Sequence, residues 1–114
     1  MRTSIVILSG QLLFAESIAR RLRQQLHQVN LEIMHPNHSD TITQLVARQP
    51  TFIILDVTDL DVQRQYHLSE LLLLLPATKI IRLDSLQNQL QIVTGERYPA
   101  VEMQDLVEAI EHFI

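Results

Sequence analysis

Phe52-Ile53-Ile54-Leu55-Asp56 is the stretch that decides the fold. Four consecutive apolar side chains point alternately to the two faces of an extended chain, so both faces must be covered. Ile5-Val6-Ile7-Leu8 repeats the pattern, and Leu31 to Met34 and Ile80 to Leu83 read as two further strands. Helical spacing fills the gaps between them. Leu13 to Gln28 places Phe14, Ile18, Leu22 and Leu26 on one face, with Arg20, Arg21 and Arg23 flanking it. Ser39 or Asp40 is positioned to cap a second helix with Ile42, Leu45 and Val46 inward, ending before Pro50. A third helix runs around Tyr66 to Leu75 and stops at Pro76. The final one runs from about Glu102 to Phe113, with Met103, Leu106, Val107 and Ile110 inward and Glu102 and Asp105 in its first turn. Strands alternating with amphipathic helices form a parallel sheet between two helix layers.

The stretch from Leu83 to Val101 breaks that alternation. Only six residues, Asp84 to Gln89, separate Leu83 from Leu90. A parallel crossover needs roughly a dozen residues. Ser85-Leu86-Gln87-Asn88 therefore reads as a turn, and Leu90 to Thr94 as an antiparallel return. Thr94-Gly95-Glu96 turns the chain again before Arg97-Tyr98 and Pro99.

Length and composition narrow the classes. The 114 residues fit one domain, and 46% hydrophobic content supplies a core. The chain has no cysteine, which excludes disulfides, thiolate metal sites and a cysteine nucleophile. It has two glycines, Gly10 and Gly95, and neither a P-loop nor a GxGxxG turn. Net charge is −4 with one lysine, Lys79, which argues against phosphate-mediated nucleic-acid binding. Ser9, Gly10 and Gln11 interrupt the N-terminal apolar run, and Ile18, Leu22 and Leu26 continue it at helical spacing, so the start reads as strand and helix rather than signal peptide. No run approaches the roughly 18 apolar residues of a membrane span. The cytoplasm is the expected location.

Over nearly its whole length the chain resembles the receiver domain of two-component response regulators. The segment Ile5-Val6-Ile7-Leu8-Ser9-Gly10-Gln11-Leu12-Leu13-Phe14-Ala15-Glu16 is similar to that family's first strand and loop, with Leu13, Phe14 and Glu16 fitting its pattern. Phe52 to Val57 is similar to the strand ending in the phospho-accepting aspartate. Pro99, Leu106 and Ile110 are similar to the lead into its last helix. The resemblance implies a doubly wound, flavodoxin-like α/β fold of strand order 2-1-3-4-5 over a single domain, residues 1–114. The fourth helix is expected to be replaced by a β-hairpin.

The same resemblance exposes departures. The family's magnesium-holding acidic pair falls on Ser9 and Gly10, its hydroxyl residue on Asp84, and its lysine on Tyr98. Magnesium prefers carboxylate oxygens, and a carboxylate at residue 84 repels a phosphoryl group. Of the phosphotransfer set only Asp56 remains, as nucleophile or as a strand-end carboxylate bonding loop N–H groups, and the second role is expected. No catalytic residue, metal site or cofactor is expected, and magnesium binding is doubtful. Asp59 and Asp61 with Asp56 and Asp84 form an acidic rim expected to be solvated. His35 and His38 lack a third metal ligand, and the other three histidines are scattered. The three arginines read as a solvated helix face.

Leu71 to Leu75 overfills a helical stripe. Leu68, Leu71, Leu72 and Leu75 make one face, which leaves Leu73 and Leu74 either covering ground vacated by the fourth helix or, with Tyr98, forming a contact surface. Three functions follow as expectations. The first is a stand-alone, phosphorylation-independent receiver-like domain acting through a protein partner or as a homodimer. The second is a single-domain response regulator phosphorylated on Asp56. The third is a small flavodoxin-like hydrolase or ligand-binding protein, for which the sequence offers no nucleophile–base pair.

Overall fold

The computed structural model describes residues 3–36, 40–59, 62, 68–84, 89–92, 97–99 and 103–112. The elements run β1 (Thr3–Leu8), α1 (Leu12–Gln25), β2 (Val29–Met34), α2 (Thr41–Arg48), β3 (Phe52–Asp56), α3 (Leu68–Leu74), β4 (Lys79–Asp84), β5 (Gln89–Ile92), β6 (Arg97–Pro99) and α4 (Met103–His112). One sheet holds the six strands in the order β2-β1-β3-β4-β5-β6. The first four are mutually parallel. β5 runs antiparallel to β4, and β6 antiparallel to β5.

The apolar runs account for the two layers. Every residue of β3 is buried. Ile5, Ile7, Phe52, Ile54 and Ile81 face one way, against Ala15, Ile18, Ala19 and Leu22 of α1 and Leu106, Val107 and Ile110 of α4. Val6, Leu8, Ile53, Leu55 and Ile80 face the other way, against Leu45 of α2 and Leu71 and Leu75 at α3. Adjacent residues thus feed opposite cores, as an extended chain requires. Substituting any of them for a polar residue would bury an unpaired group.

The parallel strands and two-sided helix cover agree with the sequence reading. The chain also returns antiparallel after β4, over Gln89–Ile92. The short strand β6 lies beyond the expected order and pairs Tyr98 with Leu90. The turns expected at Ser85–Asn88 and at Thr94–Glu96, and the start of the third helix at Tyr66, lie outside the described residues. Two expected core residues do not enter the core. Ile42 and Val46 are 36% and 39% exposed, because Thr41 and Leu45 take the sheet-facing positions of α2. Each exposed residue sits one position on, about 100° around the helix.

The N-terminal strand ends are laced together by threonines. Thr51 donates its N–H to the Ser4 carbonyl at 2.8 Å, and Lys79 donates to the Thr51 carbonyl at 3.0 Å. The Thr78 hydroxyl donates to the Pro50 carbonyl at 2.6 Å. Among the described residues no helix is long and apolar enough to cross a membrane.

A glycine-poor chain leaves a mark on its backbone. Gln28 and Gln49 adopt positive φ, at 58° and 47°. A side chain in that region costs roughly 1–2 kcal/mol, which glycine avoids. Gln28 is exposed, and its carbonyl accepts the Thr3 N–H. Gln28→Gly keeps that bond. It is expected to stabilise the fold by about 0.5–1 kcal/mol, net of the added unfolded-state entropy, measured by chemical denaturation.

Candidate functional site

The sheet changes its winding direction between β1 and β3. Doubly wound folds open a crevice there, at the carboxyl ends of the strands. The β1–α1 loop, Ser9-Gly10-Gln11, and the segment from Asp56 to Asp59 after β3 meet at this point.

Ser9 follows directly on β1, and its N–H donates to the Met34 carbonyl at 3.2 Å. Its hydroxyl accepts the Gln11 N–H at 3.0 Å, a local turn that starts α1. The hydroxyl proton has two acceptors within reach, the Gln11 carbonyl at 3.3 Å and Asp59 Oδ2 at 3.5 Å. Gly10 donates its N–H to the same Asp59 oxygen at 2.7 Å. That distance is typical of a charge-assisted bond.

Asp59 therefore braces a loop about fifty residues away in sequence. It is 3% exposed and Asp56 4%, so the expectation of a solvated acidic rim is wrong at both positions. The helix explains why a carboxylate settles there. Gln11 makes no side-chain cap, and the first turn of α1 carries no acidic residue. The N-terminal N–H groups of a helix favour nearby negative charge. Asp59 brings a carboxylate from the β3 side to the Gly10 N–H, one residue before the N-cap Gln11. Only its place close behind Asp56 marked it in the sequence.

Asp56 closes β3 and is 4% exposed. Its Oδ1 accepts the Thr58 N–H at 3.0 Å and the Thr58 hydroxyl at 2.7 Å. This is the expected role of a strand-end carboxylate bonding a loop N–H. The Asp56 carbonyl also accepts the Asp59 N–H at 3.1 Å, which fixes the turn carrying the brace. Thr58 escaped notice in the sequence, although Asp-x-Thr is a recurring local turn pattern. Asp84 ends β4, beside β3, and is half-buried.

The remaining candidates lie elsewhere. Tyr98 is on β6, at the far edge of the sheet. Leu73 and Leu74 are 82% and 45% exposed on α3, whereas Leu71 and Leu75 are buried. Arg20, Arg21 and Arg23 are exposed along α1, as a solvated face requires. His35 contributes its carbonyl, which accepts the Thr41 hydroxyl at 2.8 Å, and His38 and Asp61 lie outside the described residues. Among the described residues no group of three or more histidine, aspartate or glutamate side chains is placed to hold a metal ion.

The chain matches no protein-family model, curated protein or solved structure.

The brace is open to direct measurement. Asp59→Ala leaves the Gly10 N–H without its acceptor and is expected to cost about 1–3 kcal/mol in chemical denaturation. Asp59→Asn retains a neutral acceptor of the same shape and should cost clearly less. Equal stability of wild type and Asp59→Ala would show that the contact contributes nothing.

Proposed function

We propose that this chain is a degenerate receiver-like signalling domain of the cytoplasm that acts by protein–protein contact, independently of phosphorylation. One observation carries the reading, the 2.7 Å bond from the Gly10 N–H to Asp59 Oδ2. In the family the chain resembles, the loop after the first strand supplies carboxylates that face a magnesium ion. Here that loop supplies a hydroxyl and a glycine, and its backbone takes up a carboxylate from across the crevice.

The neighbouring groups support the same reading. Phosphoryl transfer relies on positioning and on cations that neutralise developing charge. Asp56 and Asp59 bring two buried carboxylates to the crevice, and Asp84 stands at the end of the adjacent strand. In the resemblance the family's lysine falls on Tyr98, which carries no positive charge and lies away from the crevice on β6. An incoming phosphoryl group would meet like charge. The exposed Leu73 and Leu74 on α3 are the first surface to examine for a partner. The competing reading is phosphorylation of Asp56, which the placement of that residue at the carboxyl end of a central parallel strand favours.

Titration with beryllofluoride and magnesium separates the two. The expected result is no saturable change in the amide shifts of Ser9, Asp56 and Asp84, and no aspartyl phosphate after incubation with acetyl phosphate. Saturable shifts centred on Asp56, lost in Asp56→Asn, would overturn the proposal in favour of a phosphorylated regulator.

A further inference from the structure

The two edges of the sheet are unlike. β6 spans three residues and ends in Pro99. Short strands and prolines are ordinary protection against unwanted pairing. β2 spans six residues, Val-Asn-Leu-Glu-Ile-Met, with no proline, lysine or glycine. Its one charged residue, Glu32, is paired with Arg48 of α2.

The register shows which backbone groups of β2 point outward. Thr3 donates to the Gln28 carbonyl, and Ser9 donates to the Met34 carbonyl. With Thr3 opposite Val29 and Leu8 opposite Met34, the parallel ladder to β1 uses Asn30, Glu32 and Met34. The N–H and C=O groups of Val29, Leu31 and Ile33 then face away from the sheet. Their side chains are only half-buried at the rim of the α1-side core. Grooves flank the strand on both faces. One is lined by Asn30, Leu31, Glu32 and Arg48, and the other by Glu16, Arg20, Arg23, Gln24 and Ile33.

We infer that β2 pairs antiparallel with β2 of a second copy of this chain, joining the two sheets across a two-fold axis at Leu31. The strand is self-complementary in that register. Leu31 meets Leu31 of the second copy, and Val29 meets its Ile33, so the outward-facing backbone groups bond in pairs while apolar side chains stack on the α1 side. On the α2 side Asn30 meets Glu32 of the second copy, an amide against a carboxylate rather than two like charges. The axis also reverses α1, which brings Glu16 of one copy toward the Arg23 end of the other. This surface is separate from Leu73 and Leu74 on α3.

Amide hydrogen exchange and sedimentation test the pairing together on the full chain. An edge-to-edge contact is smaller than a standard interface, so dimerisation is expected between about 10 µM and 1 mM. As the dimer forms, exchange at Val29, Leu31 and Ile33 should slow by about tenfold or more, while Asn30, Glu32 and Met34 are already slow in the monomer. Leu31→Pro removes an N–H that the β1 ladder does not use, and is expected to remain folded by circular dichroism and to weaken association at least tenfold. Should that variant unfold, Ile33→Lys places a charge against Val29 of the second copy and is expected to weaken association to the same degree. A chain still monomeric at about 1 mM overturns the inference, as would a dimer whose outward amides stay fast or that survives the folded variants.

Discussion

Two adjacent parallel strands without a polar side chain in their interiors govern this structure. Ile5 to Leu8 and Phe52 to Leu55 lie side by side, each residue buried. Such a pair cannot leave either face in water. α1 and α4 cover one side, and α2 and α3 the other. At roughly 1.5–3 kcal/mol for each large apolar side chain buried, these two strands outweigh any single polar contact in the molecule. The loops at their carboxyl ends are held instead by polar contacts.

Those contacts meet at the crevice. The β1–α1 loop is held by a carboxylate from the β3 side, and Asp56 is held by the residue two places after it. Each polar group is satisfied by another group of the protein. Among the described residues no buried side-chain nitrogen or oxygen lacks a hydrogen-bond partner. A site engaged in this way resists rearrangement, since moving Asp59 would strip an acceptor from Gly10 and a counter-charge from α1.

The sequence made the sheet legible because its signals were redundant. Continuous apolar runs, helical stripes and Pro36, Pro50 and Pro76 all agree on where elements stop. It also made the antiparallel return after β4 legible, since six residues cannot hold a crossover. A turn before Arg97 was read from Thr94-Gly95-Glu96, but the strand Arg97–Pro99 was not, because three residues carry no periodicity. At α2 the choice between Leu45 and its neighbours Ile42 and Val46 depends on the rotation of a short helix about its axis. All three share one stripe about 100° wide, and the helix turns its Leu45 edge, with Thr41 beside it, toward the sheet. The brace was hidden for a different reason. Asp59 gains its meaning from Gly10 and the start of α1, and no local pattern links positions so far apart.

The packing of α4 has a consequence for synthesis. Leu106, Val107 and Ile110 lie in the same cluster as Ile5 and Ile7. β1 and α4 lie about a hundred residues apart in sequence, so that face is sealed only after α4 has been made. Until then the apolar face of β1 and β3 has α1 alone as its cover. Molecular chaperones bind such surfaces, so the topology that buries the core so completely in the finished protein also makes its birth the moment of greatest exposure to aggregation.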